Sequence, residues 1–322
     1  MTGFWRYFWM LYMLFFAVPF PMIIYYASTY GKESPDTAPW LALSWLALSV
    51  VLWALVLGRL ARRWIVQPFI VKKNFARLAK AGVRKAGRIL ESKMLKTSSG
   101  GAEARKITFS FTNFAGTPIT EDMELTDTQP ALRRYENGKT ITLLVDDTLR
   151  SIPVICLEDM KIGVKISRML WLGITWCIIT AAVIYYYQFS YLSENGGAGW
   201  RFLRFYHPLV LCPLILLAEI FFFTKLLRFI GGKPSDLLRT KYYGIRTDAE
   251  IVSANQTGTY INEQPQIRFE LRFQDSSGRT HTATLKKVIS LLDLGITKQS
   301  SIPVFYQKDH PEKIAFASDL ED

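Results

Sequence analysis

The sequence predicts an α+β membrane protein: four transmembrane helices in two pairs, each pair followed by a small cytoplasmic OB-like β-barrel, the whole built by internal duplication. Three observations lead there. Four long apolar runs occur two by two, and a soluble segment with strand-like alternation follows each pair. The two halves also match at a single offset. Gly82-Val83-Arg84 returns as Gly244-Ile245-Arg246, Ile89-Leu90 as Ile251-Val252, and Phe109, Phe111 and Gly116 as Leu271, Phe273 and Gly278. Every pair is 162 positions apart, as 82 and 244 or 116 and 278 are. A repeat of fixed period decides the architecture before any single element does.

The first run, Phe4 to Tyr26, carries one charge, Arg6, at its start, and the second, Trp40 to Leu60, has none before Arg59. Met169 to Tyr187 and Pro208 to Thr224 are the third and fourth. About 20 apolar residues in helical form cross a ~30 Å hydrocarbon layer. Trp5, Tyr7 and Trp9 flank one end of the first run and Tyr25, Tyr26 and Tyr30 the other, while Tyr185, Tyr186, Tyr187 and Tyr191 close the third. Such rings favour the headgroup level. Pro19, Pro21 and Pro213 lie inside runs and are expected to kink their helices, with neighbours satisfying the carbonyls they free. The first run is too long for a signal peptide and shows no small-residue cleavage site.

Basic residues set the orientation. Arg62, Arg63, Lys72, Lys73, Arg77, Lys80, Arg84 and Lys85 follow the second run with no acid before Glu91; Lys225, Arg228, Lys233, Arg239 and Lys241 follow the fourth. The opposite connections hold only Lys32, Glu33 and Asp36 in one case and are poor in cations before Arg201 in the other. Cations concentrate on the cytoplasmic side, so both termini and both soluble segments are placed in the cytoplasm. These clusters account for most of the net charge of +12. Arg62, Arg63, Lys72, Lys73, Arg77, Lys225 and Arg228 are candidate contacts to an anionic lipid bilayer. The resulting organisation is a first helix pair (1–61), a basic juxtamembrane segment (62–81), β-domain 1 (82–158), a second helix pair (159–230), a basic linker (231–243) and β-domain 2 (244–322).

Within the soluble segments, Arg105 to Thr112 alternates to put Ile107, Phe109 and Phe111 on one face, and Gln266 to Phe273 does the same with Ile267, Phe269, Leu271 and Phe273. This is the pattern of a half-buried strand. Turn clusters Asn113–Gly116 and Asp275–Gly278 follow, each leading into another strand. Helical patterns come next at Thr128–Tyr135 and Val288–Leu294. Two last strands close each half: Lys139–Val145 with Ser151–Cys156, and Ser301–Tyr306 with Lys313–Ala317. Three strands, a short helix and two strands is the order of a partly open OB-like barrel, with an SH3-like barrel as the alternative.

Ser301-Ile-Pro-Val-Phe-Tyr306, Asp309-His-Pro311 and Ile314 resemble a widespread bacterial family of membrane-anchored small β-domains of undefined role. That resemblance implies a strand and a tight turn, hence a fold and little chemistry. Lys298-Gln299 stands where members carry a Gly, and Asp146-Asp147-Thr148 replaces the Asp-x-Pro turn in the first copy. In layout the chain also resembles the membrane and cytoplasmic half of the intracellular growth attenuator family, which restrains an envelope-stress phosphorelay. No segment corresponds to that family's periplasmic domain.

Chemistry-bearing residues are few. His207, His281 and His310 show no zinc spacing with Cys or carboxylates, so no metal and no cofactor is expected. Cys156, Cys177 and Cys212 form no framework and read as free thiols. Gly100-Gly101 and Gly231-Gly232 lack a phosphate-cradle pattern, and no nucleophile elbow occurs. The expectation is therefore no catalytic residue and a non-enzymatic protein acting through protein–protein contacts in a regulatory, scaffold or toxin-immunity role. Tyr306, Asp309 and His310 are the candidate partner-binding residues. Nucleic acid is not expected as a partner: Phe109 and Phe111 alternate with Thr108 and Ser110 as core residues do, rather than forming a stacking platform. Homo-oligomerisation stays open. The alternative is a small transporter or channel component using Glu219, the one acid inside the four runs, where a carboxylate costs about 2.5–3.5 kcal/mol.

Overall fold

The computed structural model describes residues 3–31, 36–97, 101–160, 163, 165–231, 234–261 and 263–321. The chain divides into a helical unit (1–72 and 163–226) and a β-rich unit (73–162 and 227–322).

In the helical unit the first apolar run becomes α1 (Gly3–Ala17) and α2 (Pro19–Thr29), separated at Val18. Hydrogen bonds from Val18 N to Leu14 O (3.1 Å) and from Met22 N to Val18 O (3.3 Å) carry the ladder across, so the span continues past Pro19. The second run is α3 (Pro39–Ala61). It passes through a π turn at Arg62–Val66 into α4 (Gln67–Ala81), so the segment read as a basic juxtamembrane stretch is helical. The third run is α5 (Ile166–Glu194) and the fourth α6 (Pro208–Gly231). Among the described residues four helical stretches are long and apolar enough to cross a membrane: Tyr7–Thr29, Pro39–Ala81, Ile166–Glu194 and Pro208–Lys225.

Pro213 sits inside α6 and has no N–H to offer the carbonyl of Leu209, four residues back. Trp53 of α3 donates its Nε1–H to that oxygen at 3.0 Å, and Trp53, Val56 and Cys212 form a small buried core around the contact. Trp176 Nε1 likewise donates to Leu57 O at 3.0 Å, and Ser49 Oγ meets Tyr187 OH at 2.8 Å. Trp53→Phe is expected to orphan the Leu209 carbonyl and destabilise the bundle by about 1–3 kcal/mol. Adding Pro213→Ala should recover much of that loss by restoring an intrahelical donor. Thermal unfolding of the single and double variants in detergent tests this, and a purely additive pair would refute it.

The β-rich unit holds two five-stranded antiparallel sheets. The first comprises β1 (Val83–Thr97), β2 (Glu103–Thr112), β3 (Pro118–Asp127), β4 (Thr140–Val145) and β5 (Ile155–Leu157), in the spatial order β3-β2-β1-β4-β5. After α7 (Pro234–Tyr243) come β6 (Gly244–Ile261), β7 (Gln264–Gln274), β8 (Thr280–Val288), β9 (Ser301–Gln307) and β10 (His310–Phe316), then α8 (Ala317–Glu321). Their order, β8-β7-β6-β9-β10, is that of the first sheet strand for strand. The match extends to register. Ile89 faces Phe109 and Ile251 faces Leu271, and a bulge falls at Leu90 in one sheet and at Val252 in the other.

Some expectations are corrected. The helical pattern at Thr128–Tyr135 is only a 3₁₀ turn, Pro130–Leu132, stopped by Arg133 in the left-handed region (φ 49°). Val288 prolongs β8 by pairing with Gln266, and the 3₁₀ helix after it spans Leu291–Lys298. The stretch read as a basic linker contains α7, whose Leu237, Leu238, Tyr242 and Tyr243 pack into the core of the first sheet. Both sheets begin directly after a helix, at Gly82 and Gly244. A Cβ there would lie 2.6 Å from Leu78 O and 2.1 Å from Thr240 O, so each helix-to-strand corner requires glycine.

Candidate functional site

The core of the first β-domain takes in residues from the second. Tyr242 of α7 is 2% exposed and lies among Ile107, Phe109, Phe111 and Leu143 of the first sheet, joined there by Phe305, Ala315, Ala317 and Leu320 from the second domain. Its ring stands 6.2 Å from that of Phe111, and its hydroxyl donates to Glu121 Oε1 at 3.0 Å. Burial, then the neighbouring Glu121, raises the Tyr242 hydroxyl pKa well above its usual value. Lys241 Nζ meets the same Glu121 oxygen at 3.1 Å, and Tyr243 stacks on Phe114 with centroids 4.8 Å apart.

One corner ties these parts together. Asn113 Oδ1 accepts the Ala115 and Thr117 N–H groups, both at 2.9 Å, and Gly116 completes the turn at φ 84°. Asp275 builds the same turn in the second domain: its Oδ1 accepts Ser277 N at 2.8 Å and Arg279 N at 2.9 Å, with Gly278 at φ 77°. The second side-chain atom differs. Asn113 Nδ2 donates to Lys241 O (3.0 Å) and Gly244 O (2.8 Å), and Phe114 N donates to Tyr242 O (2.9 Å). Asp275 Oδ2 instead meets His281 Nε2 at 2.9 Å and Arg279 Nε at 3.2 Å. Its carboxyl is held below the usual range, first by His281 and then by the turn amides.

The β4–β5 loop is closed by Asp146, whose oxygens accept Thr148 N (3.1 Å), Thr148 Oγ1 (2.7 Å) and Ser151 N (2.8 Å). Burial alone would raise this carboxyl, but the hydrogen bonds from Ser151 and Thr148 outweigh it and bring the pKa to about 2. Against an unfolded carboxylate near about 3.9, its contribution to stability is complete above that value and is lost as pH falls through about 2. Asp146→Asn should therefore lower stability at neutral pH and flatten the loss between these two values. Urea unfolding across that window measures it, and an unchanged acid slope would contradict the assignment.

In the helical unit a polar cluster forms that the sequence did not reveal. Because α5 runs on to Glu194, Glu219 is not the only carboxylate in the four helices. Glu194 accepts Tyr25 OH at 2.5 Å on one oxygen and Tyr26 OH (3.4 Å) and His207 Nε2 (3.2 Å) on the other; Tyr26 OH also meets Tyr186 OH at 3.1 Å. His207, fully buried, takes Leu209 N–H on Nδ1 at 3.1 Å, which caps α6 and leaves the proton on Nε2. Only three-dimensional proximity brings Tyr25, Glu194 and His207 together, so no spacing signal could have marked them.

The sequence-derived candidates are scattered. Tyr306, expected to be exposed, is 1% exposed: its ring packs 5.1 Å from Phe273 and its oxygen accepts Ser276 N at 2.9 Å. The reason is register, since Tyr306 pairs with Ile245 and points into the second core. Asp309 and His310 do lie in an exposed turn, paired with Arg239 (3.2 Å) and Glu312 (3.3 Å). Glu219 is half-buried with no hydrogen-bond or ion-pair partner among the described residues, and Lys225 lies over the Phe221 ring at 5.3 Å. Arg62, Arg63, Lys72, Lys73 and Arg77 are exposed, Arg77 donating to Ser151 Oγ. The Arg228 side chain, with Lys32, Glu33, Gly100, Gly232 and Lys233, falls outside the described residues. Phe109 and Phe111 are core residues, 0% and 4% exposed. Burial pushes the Cys156 thiol up to about 11, so it is protonated near neutrality.

A pocket of about 350 Å³ opens on the first domain beside Arg133, Arg134, Lys139, Glu158 and Asp159, a mixed-charge lining that selects no ligand class. Among the described residues no three His, Cys, Asp or Glu side chains gather as a metal set. No family model matches the chain, and no curated protein matches it.

Proposed function

We propose that this chain is a non-enzymatic bacterial inner-membrane protein, with both termini and both β-domains in the cytoplasm, that acts by binding another protein through its duplicated β-domains. A regulatory, scaffold or toxin-immunity role fits that reading. The observation that carries it is the joint core: Tyr242 and the Asn113 corner hold the two β-domains as one body. A tethered, pre-formed surface suits recognition, because little ordering remains to be done on binding. Identical strand order, register and bulge position at the 162-residue offset support duplication, and the strand order is that expected of an OB-like barrel. Outward-facing apolar side chains such as Trp171 (70% exposed) and Ile178 (63%) support membrane insertion.

The test is photo-crosslinking in intact cells from positions Asp309 and His310. One discrete protein adduct, purified at a fixed ratio, is the expected result. Absence of any protein adduct, combined with ion flux in liposomes that Glu219→Gln abolishes, would instead establish the transporter alternative. One observation favours that alternative: Glu194 joins Glu219 as a carboxylate within the four membrane-length helices.

A further inference from the structure

In both β-domains the central strand outruns one neighbour. β1 pairs with β4 only through Arg88 and continues along β2 to Thr97; β6 pairs with β9 only through Glu250 and continues to Ile261. The extensions occupy equivalent places but differ in chemistry. The first reads Ser92-Lys93-Met94-Leu95-Lys96-Thr97, and its counterpart 162 positions later reads Ala254-Asn255-Gln256-Thr257-Gly258-Thr259. The shared fold therefore requires neither the apolar pair nor the lysines. Met94 and Leu95 are 56% and 48% exposed. A register shift between Met94 and Lys96 makes Leu95 the bulged residue, out of the ladder.

Lys93 and Lys96 are exposed too, and neither has an ion-pair partner among the described residues. The cations on β2 are committed: Arg105 to Glu103 at 2.6 Å and Lys106 to Asp122 at 2.5 Å. Glu91 is the only carboxylate between Leu90 and Thr97. An exposed apolar pair bracketed by two exposed ammonium groups matches an anionic headgroup layer, cations at the phosphates and apolar tips at the acyl boundary.

We propose that the Lys93–Lys96 end of β1 docks on the surface of an anionic bilayer. This rests on the membrane reading of the helical unit, which places a bilayer and the strand on one chain and makes the contact effectively intramolecular.

The test uses the full chain in vesicles of phosphatidylglycerol with phosphatidylcholine, or of phosphatidylcholine alone. Cys177 is the exposed native thiol, whereas Cys156 and Cys212 are buried, so a Cys177→Ala background carries Met94→Cys or Leu95→Cys with an environment-sensitive label. The expected result is blue-shifted emission, quenched by headgroup-level spin-labelled lipid, in phosphatidylglycerol vesicles. Lys93→Glu with Lys96→Glu should abolish it, as should omitting the anionic lipid. Native protein labelled at Cys177, read with spin label placed in the lipid acyl chains, is the control for span insertion, since that residue lies mid-span. Quenching at Cys177 with unshifted, unquenched emission at both 94 and 95 overturns the docking alone, whereas no quenching at Cys177 overturns the membrane reading itself.

Discussion

Asn113→Asp is expected to pull the two β-domains apart while leaving the turn that contains it intact. The turn tolerates the change because Asp275 forms its counterpart through the same two amide contacts. What fails is the other side-chain atom. An amide donates to Lys241 O and Gly244 O; a carboxylate oxygen at that place faces two carbonyl oxygens in a buried site. Each carbonyl left without a donor costs about 1–3 kcal/mol, and the buried charge adds to it, for a total of about 3–5 kcal/mol. Lys85, whose Nζ is 3.2 Å from Asn113 O, softens the charge without replacing the amide donor. Urea unfolding with fragment-resolved proteolysis should show the second domain released first. A loss no larger than that of Asp275→Asn would contradict this account of the corner.

Tyr242→Ala should cost as much by a different route. Truncating a buried aromatic removes transfer free energy and leaves a cavity, typically about 3–5 kcal/mol. Here the cavity opens where residues from both domains meet, so it weakens docking and the first core together. Tyr242→Phe keeps the ring, and Lys241 still meets Glu121, so its cost should be about 1 kcal/mol. Calorimetry of the three proteins separates packing from the hydrogen bond. Equal losses in Phe and Ala would assign the effect to the hydroxyl.

Several elements were legible because they depend on local pattern. The apolar runs, the period-two strands and the 162-residue offset rest on side-chain spacing, and so did the need for a neighbour to satisfy a carbonyl freed by proline, met by Trp53 at Leu209. Position α7 was not legible. Pro234-Ser-Asp-Leu-Leu-Arg-Thr-Lys-Tyr-Tyr243 alternates charge with apolar residues as a solvated linker does, and its apolar side is explained only by the core of the other domain. Tyr306 misled for a related reason: its place at the end of a terminal strand, beside Asp309 and His310, suggested the surface, yet the ring fills the second core and its oxygen closes a turn. Glu194 lay beyond the apolar run, and only the added helical turns bring it to Tyr25 and His207.

The Asn113 and Asp275 corners also bear on how such a chain can assemble. A contact in which one repeat's turn grips the next repeat's helix-to-strand junction is head-to-tail, and an interface of that kind, repeated, closes into a ring or runs on as an open filament. The second repeat replaces the donating amide by a carboxylate and occupies that carboxylate with His281 and Arg279. Its turn therefore offers no side-chain donor of the kind that Asn113 gives to the Lys241 and Gly244 carbonyls.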